Sequence, residues 1–78
     1  MFGVIIEIEA VNDLIDNYRL PVSPKDLKAQ LSMCLTETEA DLFNAEKFEQ
    51  IRLINDMVDI YDETGEFIEP EVLLNGVY

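Results

Sequence analysis

NAEKFEQIRLINDMVDIY, residues 44–61, is the stretch whose periodicity decides the fold. Its apolar positions Phe48, Ile51, Ile54, Val58 and Tyr61 recur at threes and fours, and Leu53, Met57 and Ile60 lie beside them. Such spacing is that of a helix, and the double set widens its apolar arc beyond a single stripe. A helix with this arc needs neighbours on more than one side. The expected fold is therefore all-α, a compact three- to four-helix bundle around a central helix over residues 44–62. Gly65, after Asp62-Glu63-Thr64, ends that helix by supplying a left-handed residue. A rival reading makes DIYDETGEFI a short hairpin near residues 60–68, with Tyr61 and Phe67 flanking the turn.

Two helix starts precede the central element. Thr36 and Glu39 form a capping box, with Leu35 and Ala40 as its staple. Asn44 offers another start, with Phe43 and Phe48 as the staple pair. Either one helix runs over residues 37–62, or a short one ends near Phe43 and the central helix begins after Asn44.

Upstream, Val4, Ile8, Val11, Ile15 and Tyr18 repeat at close to 3.5 residues, so residues 4–19 are expected as the first helix. A strand competes at its beginning, where Ile6, Ile8 and Ala10 alternate with Glu7 and Glu9. The same phase continues to Tyr18, too far for an ordinary strand, which favours helix. Pro21 stops it and pushes Leu20 out of helical geometry. Ser23-Pro24 then opens a helix over residues 24–35, with Val22 and Leu27 as staple and Leu27, Leu31, Cys34 and Leu35 inward. Glu69-Pro70-Glu71 opens a last short helix, which Asn75-Gly76 close. Val72, Leu73 and Leu74 are expected to cover an open end of the bundle.

The 78 residues are read as a single acidic helical domain, 1–78. A chain of this size buries roughly 60% of the surface its unfolded form exposes. Lone Cys34 cannot form an internal disulfide, which favours a reducing, intracellular home. MFGVIIEIEA lacks a basic flank and carries two Glu, a poor signal peptide, and no apolar run reaches membrane-span length. The expected location is cytoplasmic, with no membrane association.

Charge is the extreme property. Seventeen acids against five bases give −12. Residues 1–35 hold five acids and three bases; residues 36–78 hold twelve acids and two bases, Lys47 and Arg52. Over residues 56–71 there are seven acids and no base. Direct binding to nucleic acid or an anionic membrane is disfavoured, because neutralising phosphates takes Lys and Arg. A basic protein partner is favoured, since an acidic field speeds encounter with positive surfaces. The bland alternative is that the charge only keeps a small protein soluble.

Site chemistry is sparse. There is no His, one Cys and no glycine-rich phosphate loop, and with so many acids some carboxylate pair arises by chance. The chain is read as no enzyme, without cofactor or metal. Gly65 fits the invariant glycine of a calcium loop, but that register puts Ile60 where the first carboxylate ligand is required. On a helix, Asp56, Asp59, Asp62 and Glu63 line one side, and Glu66, Glu69 and Glu71 extend the acidic surface past Gly65. Like charges so spaced repel one another. These seven are the candidate partner-binding residues.

By size and charge the chain resembles small acidic proteins, such as some phage-encoded inhibitors, that occupy the basic groove of nucleic-acid-binding machines. No residue motif is shared. The resemblance implies a non-enzymatic inhibitor or nucleic-acid mimic whose acids meet Lys and Arg of a nucleic-acid-binding partner protein. The alternative is a structural, adaptor, antitoxin or immunity-like subunit of a helical complex. Its first-helix seam or its apolar tail, Val72, Leu73, Leu74, Val77 and Tyr78, would pack either on another copy, as a homodimer, or on another protein.

Overall fold

The computed structural model describes residues 3–75, and every regular element among them is helical. In chain order these are α1 (Ile8–Tyr18), α2 (Pro24–Cys34), α3 (Glu37–Asn44), a 3-10 turn (Phe48–Gln50), α4 (Arg52–Thr64) and α5 (Pro70–Asn75). They fill a volume of 30 × 26 × 22 Å. α1 packs on α2, α2 on α5 and α5 on α4, while α3 meets α4 through the 3-10 turn.

Local chemistry sets three of the boundaries as expected. Ser23 Oγ accepts the Asp26 N–H at 3.1 Å, with Pro24 in the first turn where its missing N–H costs nothing. Thr36 and Glu39 cap each other reciprocally: Glu39 N–H donates to Thr36 Oγ1 at 3.2 Å and Thr36 N–H to Glu39 Oε1 at 2.9 Å. Gly65, at φ 75°, donates its N–H to the Tyr61 carbonyl at 2.7 Å and closes α4. That cap also excludes the hairpin over residues 60–68. Residues 60–64 belong to α4, and the Tyr61 hydroxyl donates to the Arg19 carbonyl at 2.9 Å, tying α4 to the end of α1.

The central helix begins later than its periodicity suggests: it starts at Arg52, not Asn44. Asn44 is the last residue of α3, and Glu46, at φ 60°, turns the chain back. Phe43 then meets Phe48 across the turn, ring centroids 5.0 Å apart. Phe48 and Ile51 reach the core through the turn rather than through a helix face. Within α4, Leu53, Ile54, Met57 and Val58 are buried, as the wide arc requires. The Asn55 side chain donates to the Glu49 carbonyl at 2.6 Å and ties the 3-10 turn to α4.

The first helix also starts late, at Ile8 rather than Val4. Residues 3–7 form an extended strap with two attachments. Val4 N–H donates to the Ser32 carbonyl at 2.8 Å at the end of α2. The Asn44 side chain takes the other attachment, its Oδ1 accepting from Glu7 N–H at 2.8 Å and its Nδ2 donating to the Ile5 carbonyl at 3.0 Å. An amide side chain thus supplies the donor and acceptor that a neighbouring strand would have offered. Along the strap Ile6 is buried and Ile5 is 83% exposed, the alternation of an extended chain. Gly3 is required by close approach: a Cβ there would lie 2.6 Å from the Ser32 carbonyl oxygen. Beyond the strap the expected seam holds in part: Val11 is fully buried and Ile15 and Tyr18 are half-buried, but Ile8 is 42% exposed, and Ala10 and Leu14 beside the seam are buried instead.

At the other end Pro70 is fully buried and Leu73 packs on the core, but Leu74 is 59% exposed and Val72 is also exposed. Of the three residues expected to cover the open end, only Leu73 does so. Gly76, Val77 and Tyr78 lie outside the described residues.

The strap carries a direct test. Asn44→Ala deletes two backbone attachments and is expected to cost about 1–2 kcal/mol, with faster hydrogen exchange at the Glu7 amide. Gly3→Ala should speed exchange at Val4 and leave Glu7 protected. Equal effects at both amides in both variants would show that the strap is not held at two separate points.

Candidate acidic interface

α4 turns its apolar arc inward and leaves Arg52, Asp56, Asp59, Asp62 and Glu63 exposed. The last two sit in the final turn, which holds no basic residue to offset the negative end of the helix dipole. Stability alone would not choose that arrangement. Past Gly65, Thr64 Oγ1 accepts the Glu66 N–H at 3.1 Å, fixing the exit from the helix. Phe67 then packs against the core and the buried Pro70 anchors α5.

All seven candidate carboxylates, Asp56, Asp59, Asp62, Glu63, Glu66, Glu69 and Glu71, are exposed, but they do not share one setting. Asp56 and Asp59 line a groove between α4 and α5. Glu69 faces α2, where its Oε2 accepts from Gln30 Nε2 at 3.3 Å beside Val22, Leu27 and Phe67. Glu71 stands near Cys34. Burial, and after it the Glu71 charge, push the Cys34 thiol above its ordinary value, so less of it is thiolate at neutral pH. This half-buried thiol fits its reading as a small apolar residue. Asp62, Glu63 and Glu66 surround the turn at Gly65. Among the described residues no Lys or Arg nitrogen comes within 4.0 Å of a carboxylate oxygen, so Lys47 and Arg52 do not neutralise the row.

The structure adds residues that the sequence did not single out. The α4/α5 groove also takes Glu39, whose carboxylate caps α3, and Arg52 at its start, with Leu53, Ile60, Leu73 and Leu74 as its apolar lining. A second acidic group joins α1 to the turn after α3: Glu46 hydrogen-bonds Asp13, with Glu9 nearby. Glu46 has a left-handed backbone, at φ 60°. Sharing that hydrogen bond with Asp13 is the main cause that raises the Glu46 carboxyl above its ordinary value. Some desolvation and the charges of Asp13 and Glu9 add to it. No sequence signal pairs residues 13 and 46, because neither sequence reading, one helix over residues 37–62 or a break after Phe43, gives the direction in which the chain turns at Glu46.

Among the described residues no group of three His, Cys, Asp or Glu side chains is placed to hold a metal ion. No helix among them is long and apolar enough to cross a membrane.

The Glu46 contact predicts a pH dependence. A carboxyl raised in the fold adds stability below its unfolded value, near 4.3, and loses it as pH climbs through the folded value. Glu46→Gln keeps a donor toward Asp13 without the second charge. Its melting temperature should exceed that of the parent at neutral pH, and the gap should close on acidification to about pH 4. Melts across that range check it; a gap independent of pH contradicts the shared-proton contact.

The chain shows no match to a protein-family model, to a curated protein or to a solved structure.

Proposed function

We propose that the protein is a non-enzymatic acidic binding protein that occupies a basic surface of a partner, as an inhibitor or nucleic-acid mimic of the small phage-encoded kind. The observation that carries this reading is the exposure of seven carboxylates over residues 56–71 with no base among them. A face built only for solubility has no need to exclude Lys and Arg. Four of the acids stand on one helix, two of them at its negative end, where they oppose folding rather than assist it. On this reading the helices form a rigid bundle, and the capped ends of α3 and α4 hold the charges in place for a nucleic-acid-binding protein rich in Lys and Arg. The unpaired Cys34 is consistent with action in a reducing cytoplasm.

A structural or adaptor role, with a homodimer, is the second reading, and exposed apolar side chains favour it: Ile5, Met33 and Leu74. The first-helix seam does not serve it. Val11 and Leu14 are fully buried within the chain's own core, so replacing either by Glu would unfold the protein rather than separate two copies.

The two readings part in one experiment. Proteins captured from the native host by the intact chain are released along a salt gradient from about 50 to 500 mM, across which exposed charges become strongly screened. The captured partner is then assayed for nucleic-acid binding with and without this protein. Steep release and displaced nucleic acid support the mimic, and the double variant Asp59→Lys, Asp62→Lys should abolish both while melting like the parent. Capture insensitive to salt, together with a dimer in sedimentation that Leu74→Glu dissociates, would replace it with the adaptor.

A further inference from the structure

We infer that the groove between α4 and α5 receives an amphipathic helical segment of the partner, with apolar side chains along one side and Lys or Arg flanking them. This rests on the reading that the partner is basic, and specifies how it is held. Two kinds of surface meet in the groove. Leu53 is buried at its floor, Ile60 and Leu73 are half-buried, and Leu74 stands 59% exposed at its edge. Asp56 and Asp59 rise from the same stretch of α4, with Glu39 also lining the groove. Only Arg52, at the start of α4, carries the opposite sign. The groove has a volume of about 540 Å³.

Its length selects the occupant. From Arg52 to Ile60 the α4 wall rises about 12 Å at 1.5 Å per residue, close to two helical turns. An apolar lining of that length suits the i, i+3 or i+4, i+7 anchors of a helix lying in a groove. A purely basic segment would leave Leu74 and Ile60 uncovered, and a purely apolar one would leave Asp56, Asp59 and Glu39 without cations. A second copy of this chain is a poor occupant. It carries −12 itself, and its acids would meet the groove's own.

The probe is a synthetic peptide of about 14 residues, long enough to extend past the groove at both ends, with Leu at helical anchor spacing and Lys elsewhere. Two controls accompany it: the same composition with the Leu positions scrambled, and the anchored peptide with Gln in place of Lys. Each is titrated into the full-length protein while amide resonances are followed. The anchored Leu/Lys peptide should bind tightest, moving resonances at Leu53, Ile60, Leu73 and Leu74. Leu74→Ser should weaken it about fivefold through lost apolar cover, and Asp59→Lys about tenfold through charge. Leu74 and Asp59 are both exposed, so neither change tests folding.

Equal binding by the scrambled peptide, with shifts spread over Asp62, Glu63 and Glu66, overturns the groove and leaves the acidic reading standing. Equal binding by the Gln peptide overturns the selection for a basic segment. No binding by any peptide at about 50 mM salt, where screening is weak, counts against both the groove and the acidic reading. Resonances at Leu73 and Leu74 that move with protein concentration alone would assign the groove to a second copy and overturn the inference.

Discussion

Phe43 packing on Phe48 across a left-handed Glu46 is the contact on which the arrangement of the molecule depends. It folds the chain between α3 and α4, so two short helices stand where periodicity alone would allow one long one. The reversal has three consequences. It leaves Asn44 at a helix end, where its side chain can grip the strap of residues 3–7. It brings Glu46 over Asp13. It also leaves α4 with its apolar arc inward and its carboxylates outward. A left-handed conformation at a residue with a Cβ is unfavourable by roughly 1–2 kcal/mol. The aromatic contact and the burial of Phe48 offset it.

Where the sequence was legible, the signal was local. Ser23 with Pro24, Thr36 with Glu39, and Gly65 act within three or four residues, and each stands where its chemistry placed it. Asn44 shows why the rest was not. Its preference for helix starts is real, but its partners are the backbone of residues 5 and 7, far away in sequence. Periodicity misled for a related reason. A turn that returns Phe48 and Ile51 to the core keeps their spacing without keeping the helix. At the first helix the close approach of Gly3 to Ser32 and the burial of Ile6 outweighed the seam that began at Val4.

The acidic surface was legible as composition and illegible as geometry. That Asp56, Asp59, Asp62 and Glu63 would be exposed followed from the helical phase. That the carboxylates of residues 56–71 divide among a groove, the side of α2, the neighbourhood of Cys34 and the turn at Gly65 depends on where α5 lies. The direction of α5 is set by the buried Pro70 and the packing of Phe67, and neither announces itself as an anchor in the sequence. Glu39 and Arg52 were absent from the candidate set because one reads as a cap and the other as an isolated base.

The position of α5 also bears on why the molecule carries so much uncompensated charge. Had the acids only to keep the chain in solution, any exposed positions would serve, and interleaved Lys would relieve their repulsion at no cost to solubility. Instead Asp56 and Asp59 stand one turn apart beside side chains that a fully closed small domain would have covered. The exposed Leu74 and the neighbouring carboxylates are each mildly unfavourable alone: one leaves apolar surface in water, the others repel. A single amphipathic cationic occupant relieves both. On the proposed reading that common solution, rather than the net charge as such, links the acidic composition to binding.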